Sequence, residues 1–310
     1  MKNSSYIIRN YHPDDFNNYF RLRFGADQLE RPDAQYLRRS LLEELNRPNC
    51  SPQQNLFIAE LDGKIIGFCH LTPELEIRRV IFDFMMHPLH HRKDPATMLL
   101  QHAIQRALDL DAKMAHVNIS ENNITAKKLL SGLGFQPVRC FFELKLHLPD
   151  ADIEERSLGT FKSRSLKAGE EEMLTQIQNR FFKGSWGFNP NTREEVYYRL
   201  HLSDCSPERV ILLCKEDNPV GYCWTTVNPE ENLARGVKKA RIHMMGVDPE
   251  YRKKGLGKEV LTVGLSYLKE QGIEIVELTV DSENKAALAL YESAGFEIFA
   301  VTRWYEKMLT

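Results

Sequence analysis

The chain has no run of about 18 apolar residues, and no two of its six cysteines are close enough to form a C-x-x-C pair. The first absence argues against a membrane span, and the second argues against a zinc or dithiol redox motif. Scattered single thiols are typical of a reducing compartment, and the N-terminal segment lacks the apolar core of a signal peptide. We therefore expect a cytoplasmic protein.

An excess of one charge sign is also missing, because 41 basic and 43 acidic side chains leave a net charge of −2. This balance provides no general attraction to nucleic acid or to an anionic membrane, so neither is expected as a partner. The length of 310 residues exceeds that of one typical core and favours two domains of about 150 residues each.

The same layout of residues occurs twice along the chain. Three landmarks recur at one offset of 161 positions: Pro88 with Pro249, Asn123 with Asn284, and Gly134 with Gly295. We predict two tandem copies of one domain, covering residues 1–149 and 160–310, with a polar, acid-rich linker at 150–159.

The second copy shows alternating strand patterns and helical spacing of apolar residues in turn. The predicted strands are Val210–Cys214, Val220–Val227, Ala240–Val247, Ile275–Val280 and Phe296–Lys307. One helix is predicted from Gly257 to a stop at Gly272, and another from about Asn284 to Gly295. This order predicts an α/β (α+β) fold in which a mixed, mainly antiparallel twisted sheet is flanked by helices.

A basic loop lies between the strand that ends near Pro249 and the helix that begins near Gly257. Its two glycines let the backbone turn and expose N–H groups, and the helix start adds a positive dipole end. Its cations are Arg252, Lys253, Lys254 and Lys258. The chain has no G-x-x-x-x-G-K-[ST] motif, and Val260 stands where a Rossmann fingerprint has its third glycine. The loop therefore indicates a pyrophosphate site of another kind.

The order strand, Arg252-x-x-Gly255-x-Gly257, helix, strand, Asn284, Tyr291, Gly295-Phe296 resembles the GNAT superfamily of acetyl-CoA-dependent N-acetyltransferases. The loop matches the superfamily motif R/Q-x-x-G-x-G/A in full. Among tandem members, the chain is similar to mycothiol synthase-like proteins, in which the C-terminal copy is the active one. The resemblance implies an enzyme that uses acetyl-CoA and no metal. It would acetylate a primary amine of a small molecule, such as an amino-sugar or amino-acid conjugate, by direct attack on the thioester.

The resemblance also implies roles for single residues. Coenzyme A would be bound by Met245, Val247, Arg252, Lys253, Lys254, Gly255, Leu256, Gly257, Lys258 and Asn284. Tyr291 would be the general acid for the leaving thiolate, and it lies two helical turns after Asn284 on the same face. Trp186 and Phe188 belong to a segment similar to the aromatic helix–loop that borders the acceptor cleft in that group.

The general base is where the chain departs from the family pattern. Many members carry a glutamate near the position of Arg241, and the strand Ala240–Val247 has no carboxylate. His243 is the residue of this strand that titrates near neutral pH, and alternation predicts that it shares a face with Arg241 and Met245. His243 is therefore the candidate base, with Asp281, Glu283 or a water chain as alternatives.

The first copy has lost these features. The segment His91–Ala96 stands in place of the motif, with a negative charge at Asp94 and a missing N–H at Pro95. Leu130 replaces the tyrosine. We predict that this copy does not catalyse and that it binds coenzyme A weakly or not at all. Its histidines at 87, 90 and 91 have no carboxylate or cysteine spacing that supports a metal site.

Two other functions remain open from the sequence. A non-catalytic coenzyme A sensor or scaffold is compatible with the missing carboxylate on the strand. A tandem acyl or aminoacyl transferase would need a surface for a carrier RNA, which the balanced charge disfavours. Both a monomer and a homodimer are compatible with the sequence.

Overall fold

The structure, a computed structural model, describes residues 6–25, 34–90, 93–151 and 159–310. It contains two compact units, which we call unit 1 (Met1–Cys140 with Thr302–Thr310) and unit 2 (Phe141–Val301). The predicted linker at 150–159 lies mostly outside the described residues. By packing, residues 141–149 belong to unit 2, and the last nine residues of the chain belong to unit 1.

Both units combine β-strands with α-helices. The strands are β1 (Ile7–Asn10), β2 (Leu56–Leu61), β3 (Lys64–Glu74), β4 (Arg79–Met86), β5 (Met114–Ser120), β6 (Gln136–His147), β7 (Phe161–Ser165), β8 (Val210–Lys215), β9 (Asn218–Val227), β10 (Lys239–Val247), β11 (Ile275–Asp281) and β12 (Glu297–Met308). The α-helices are α1 (Phe16–Phe24), α2 (Ala34–Leu45), α3 (Pro52–Asn55), α4 (Lys93–Asp109), α5 (Ile124–Gly132), α6 (Glu171–Phe182), α7 (Arg193–Leu200), α8 (Pro229–Arg235), α9 (Leu256–Glu270) and α10 (Lys285–Ser293). Over the described ranges, no helix combines the length and apolar character needed to cross a membrane.

The sheet of unit 1 follows the chain order from β1 to β5, and the Thr302–Met308 part of β12 pairs beside β5. All neighbours are antiparallel except β4 and β5, which are parallel. The hairpin between β2 and β3 turns at Asp62 and Gly63, which both have positive φ, as a tight two-residue turn requires. Residues of β2 alternate between the two faces, with Phe57 in one apolar cluster and Ile58 in the other.

The sheet of unit 2 has the order β7, β8, β9, β10, β11, followed by the Phe141–His147 part of β6. Again one neighbouring pair is parallel, β10 with β11, and the others are antiparallel. The predicted fold class, a mixed and mainly antiparallel sheet flanked by helices, is confirmed. The predicted strands and helices between Val210 and Lys307 are also confirmed, including the stop at Gly272, which has a φ of 69°.

Helix α9 covers one face of this sheet because its apolar residues recur at helical spacing. Val260, Leu261, Leu265 and Leu268 are all buried, and each such side chain contributes about 1.5–3 kcal/mol through burial. The opposite face is covered by α6 and α7, which pack with Tyr222 and Trp224 in a separate cluster. The sheet of unit 2 is therefore an inner layer with helices on both sides.

Gly264 allows α9 to approach the sheet closely, and this gives a stability prediction. A Cβ at this position would lie 2.9 Å from Cys223 Cβ and closer still to its sulfur. In Gly264→Ala, the overpacking cost of about 1–3 kcal/mol exceeds the helix-propensity gain of about 0.5–1 kcal/mol. We expect a net loss of about 1–2 kcal/mol in the free energy of unfolding, measured by urea denaturation.

The matched control is Gly132, a helical glycine in α5 beside open space. Gly132→Ala is expected to raise the free energy of unfolding by up to about 1 kcal/mol, because only the backbone entropy changes. If both variants shifted stability in the same direction, the close approach of α9 to the sheet would not explain the glycine at position 264.

Candidate active site

The sheet of unit 2 opens between its two parallel strands. β10 and β11 pair where Lys239–Arg241 lie beside Ile275–Glu277, and the described residues show no pairing between them beyond that point. β10 stays paired with β9 as far as Val247, and β11 stays paired with β6 as far as Asp281. The two strands thus leave a slot with facing backbone edges. An extended ligand can pair with such an edge as an added strand does.

A β-bulge at His243 changes which residues of β10 face each side of the slot. Ile242 pairs with Thr225 and Met244 pairs with Trp224, so His243 is the extra residue. Its ring packs edge-on against Trp224, with 5.2 Å between the ring centroids.

The predicted alternation along β10 is wrong at this point. Met245 packs in the apolar cluster of α9, whereas the Trp224 ring beside His243 belongs to the cluster of α6 and α7. His243 and Met245 therefore do not share a face. The bulge is the reason, because one inserted residue moves every following side chain to the other side.

The loop after β10 leaves backbone N–H groups open at the start of α9. Lys253 and Gly255 both have left-handed backbone, with φ of 62° and 84°. Gly255 is the N-cap of α9 and makes no side-chain capping hydrogen bond. A Cβ at Gly255 would meet no atom within 4 Å, so the space beside its backbone is open. An anion can therefore approach bare backbone at the positive end of the helix.

Four exposed cations surround this opening: Arg252, Lys253, Lys254 and Lys258. Arg252 donates from Nε to Val247 O at 3.2 Å and from a terminal nitrogen to Phe181 O. Lys254 Nζ donates to Glu250 O at 2.9 Å. These bonds hold two of the cations at the rim of the opening. Leu256 differs from its neighbours because its side chain is buried, which leaves only its backbone to a ligand.

Helix α10 carries two further predicted residues, Asn284 at its start and Tyr291 in the apolar cluster beside α9. Asn284 caps α10, with its Oδ1 accepting the N–H of Ala287 at 3.2 Å. Tyr291 is 7% exposed and packs edge-on against Phe296, with 5.7 Å between the ring centroids. Burial raises the pKa of Tyr291 well above its usual value, so its phenol is protonated at neutral pH.

The C-terminal end of α6, which begins the aromatic segment similar to the border of the acceptor cleft, covers the other face of β10. Gln178 Nε2 lies 3.6 Å from Met244 Sδ, and the Phe181 ring stacks on Tyr222 at 6.0 Å between centroids. A Cβ at Gly246 would lie 3.1 Å from a ring carbon of Phe182, so a glycine there lets α6 approach. The sequence pattern alone did not predict these contacts with β10.

Trp186 and Phe188, the two predicted acceptor residues, lie in the loop after α6 and are half-buried. The Trp186 ring contacts the Phe141 ring, with 5.8 Å between centroids. Phe141 is the register partner of Asp281 at the end of β11. Trp186 therefore lies near the open end of the slot, and Phe188 follows two residues later in the same loop.

The charged side chains at the base of the slot are paired. The Arg241 guanidinium donates a hydrogen bond to Thr279 Oγ1. A hydrogen-bonded arginine therefore occupies the position at which many family members have a glutamate. Lys239 Nζ lies 3.5 Å from a carboxylate oxygen of Glu277. At the far end of β11, Asp281 Oδ1 accepts the N–H of Glu283 at 3.0 Å.

Unit 1 keeps the slot, because β4 and β5 pair only over Arg79–Phe82 and Met114–Val117. A cavity of about 560 Å³ lies there, with Phe84, Met86 and Asn123 among its lining residues. Leu130, at the position that corresponds to Tyr291, is fully buried and has no proton to donate.

Part of the loop of unit 1 lies outside the described residues, namely His91 and Arg92. Asp94 lies in the first turn of α4. His87 Nδ1 accepts the N–H of Leu89 at 3.2 Å, and the His87 and His90 rings are 5.7 Å apart. Within the ranges that the structure describes, no group of three or more histidine, cysteine or acidic residues could hold a metal ion.

Both units have a sheet with a slot between its two parallel strands, and in unit 2 the glycine-capped start of α9 lies beside the slot. These features define a tandem acyltransferase fold. The chain belongs to the acetyltransferase (GNAT) family, whose model matches residues 15–135 and 172–296. It is an N-acetyltransferase, as the sequence predicts, in a family whose enzymes use acetyl-CoA.

The curated relatives support the same class. A mycothiol acetyltransferase from Thermomonospora curvata is 27% identical over 252 residues, which cover 79% of this chain and 80% of the relative. A mycothiol acetyltransferase from Stackebrandtia nassauensis is 29% identical over 261 residues, covering 82% and 80%.

Solved structures share the fold over nearly the whole chain. A GCN5-related N-acetyltransferase from Sphaerobacter thermophilus superimposes with a TM-score of 0.73 at 20% identity, covering 98% of this chain and 96% of that one. A tandem GNAT protein from the clavulanic acid biosynthesis pathway gives 0.72 at 14% identity, covering 99% and 98%.

Proposed function

We propose that unit 2 carries the reaction and transfers the acetyl group of acetyl-CoA to the primary amine of a small molecule, such as an amino-sugar or amino-acid conjugate. The observation that supports this most is the open, glycine-capped start of α9 next to the slot between β10 and β11. Unit 1 has a slot but has Leu130 in place of the tyrosine. The relatives named mycothiol acetyltransferase support a small-molecule acceptor.

The residues of unit 2 suit the pyrophosphate and the pantetheine arm of coenzyme A. The open N–H groups between Lys253 and Gly257 and the four cations around them bind the pyrophosphate. The edge of β10 at Met245 and Val247 binds the pantetheine arm as a strand would. Asn284 contacts the chain of coenzyme A from the start of α10 while its side chain caps the helix. When bound, acetyl-CoA supplies a thioester carbonyl for attack by the amine.

Tyr291 and His243 lie on opposite faces of the sheet beside the slot. This arrangement allows one residue to act as the acid and the other as the base. Tyr291 belongs to the cluster of α9, and its protonated Oη provides the proton that the departing thiolate requires. His243 lies on the face of Trp224 and α6, and its imidazole takes the proton from the attacking amine. The acceptor enters from this second face, bordered by Trp186 and Phe188.

The role of His243 is tested by His243→Gln. We expect kcat/KM to fall by about 100-fold, the lower end of what a positioned base contributes, with little change in acetyl-CoA affinity. His201→Gln, which replaces an exposed histidine of the same unit, is the control. An unchanged kcat/KM in His243→Gln would transfer the role to Asp281, Glu283 or a water chain.

The proposed function as a whole is tested by following free thiol release from acetyl-CoA with a panel of amines. The panel contains amino sugars, amino acids and conjugates of the two, and acetyl-CoA binding is measured in parallel by calorimetry. Turnover on a small amine supports the proposal. Binding without turnover on any amine would instead favour a coenzyme A sensor, and no binding would contradict both.

A further inference from the structure

A second group of reactive side chains lies in unit 1, away from every residue assigned to acetyl transfer. Cys50 Sγ lies 3.4 Å from Nε2 of His70 on β3. On the other side of the ring, His70 Nδ1 lies 3.7 Å from Oε1 of Glu44 on α2. A thiol, an imidazole and a carboxylate thus follow one another in the order found at activated nucleophiles.

The imidazole is buried, whereas Cys50 is only partly buried. His70 is 4% exposed, and Cys50 lies in the loop before α3, next to exposed Asn49 with a φ of 62°. The ring that contacts the sulfur is therefore shielded from solvent more completely than the cysteine is.

Polar and charged neighbours on α1 and β4 hold this group in place. Arg23 of α1 donates to Glu44 at 3.1 Å, to Asp83 of β4 at 2.8 Å and to the Tyr19 hydroxyl at 3.0 Å. Glu44 is thereby fixed beside the ring. Burial of His70 acts against its charged form, but its interactions with Cys50 and Glu44 outweigh burial and raise the pKa of His70 to about 9.

Unit 2 provides a contrasting case at the corresponding point of its own sheet. There, Trp224 of β9 replaces the histidine, and its indole Nε1 donates to Cys205 Sγ at 2.9 Å. Burial raises the pKa of Cys205, which disfavours its thiolate. The same chain therefore carries one cysteine beside a cationic ring and one beside a neutral indole.

We propose that Cys50 is a nucleophilic modification site that reacts with low-molecular-weight disulfides, with His70 and Glu44 as its positioning residues. The imidazolium of His70 stabilises the Cys50 thiolate, which attacks one sulfur of the disulfide. A new bond forms between the two sulfurs, the original disulfide bond breaks, and its electron pair leaves with the second thiolate. That thiolate takes a proton from water or from His70.

The first test uses the whole protein and the neutral reagent 2-hydroxyethyl disulfide. Modification of each cysteine is followed in time by peptide mass spectrometry at pH 6.5. We expect Cys50 to react at least about tenfold faster than Cys140 and Cys205, which are half-buried as Cys50 is. A rate at Cys50 equal to or below that of Cys140 would overturn the proposal.

Variants then separate the positioning residues from the nucleophile. In His70→Gln the rate at Cys50 should fall at least about tenfold at pH 6.5. Glu44→Gln should have the same effect to a smaller extent, and Cys140 should react unchanged in both. An unchanged Cys50 rate in either variant, with the thermal midpoint retained, would exclude the role of the residue replaced.

Discussion

Gly255→Val is expected to remove acetyl-CoA binding. The valine side chain would fill the open space beside the backbone at the start of α9, where the proposed pyrophosphate site lies. Loss of two hydrogen bonds to a charged group costs about 3–6 kcal/mol, which corresponds to an increase in Kd of about 10²- to 10⁴-fold. Calorimetric titration with acetyl-CoA measures this change directly.

The matched control is Gly272→Val, at the other end of the same helix. Gly272 also has a left-handed backbone, with φ of 69°, and open space where a Cβ would be. Both variants incur a similar strain of about 1–2 kcal/mol, so both should lower the thermal midpoint by a similar amount. Only Gly255→Val should weaken binding. Equal Kd values of the two variants for acetyl-CoA would show that the loop before α9 does not bind the pyrophosphate.

Tyr291→Phe is expected to lower kcat by about 10²- to 10⁴-fold while acetyl-CoA affinity stays within about threefold. The change removes one oxygen from a buried ring whose packing against Phe296 is retained. Because the raised pKa of Tyr291 keeps the phenol protonated, the variant lacks the proton donor and nothing else. Initial rates of thiol release at saturating acceptor measure the effect.

Tyr305→Phe is the control for this change, because Tyr305 is also buried but belongs to unit 1. It should retain full turnover and a similar thermal midpoint. If Tyr291→Phe also retained full turnover, the leaving thiolate would have to be protonated by another group, and Tyr291 would serve only in packing.

Local signals were sufficient for the elements around the candidate site. The cap at Asn284, the stop at Gly272 and the turn at Gly255 each depend on the conformational preference of a single residue. The apolar spacing of α9 likewise predicted both its bounds and its buried face. For these parts the fold follows from properties that act within a few residues.

Contacts between distant segments could not be predicted in this way. The bulge at His243 has no glycine or proline to mark it. It is defined only by the pairing of β10 with β9, in which Ile242 and Met244 pair with the adjacent residues Thr225 and Trp224. The bond from Arg252 to Phe181 O joins residues that are 71 positions apart. The group of Cys50, His70 and Glu44 likewise forms only when a helix, a loop and a strand come together.

The assignment of the end of β12 to unit 1 affects the order in which the two units can fold during synthesis. Unit 1 begins at the N-terminus but includes Thr302–Thr310, where Thr302–Met308 pairs with β5. During synthesis, the edge of β5 therefore has no partner until Thr302–Met308 has left the ribosome. Unit 2, which needs only Phe141–Val301, has all of its residues available first. The half of the chain that is translated first is thus the half that is completed last.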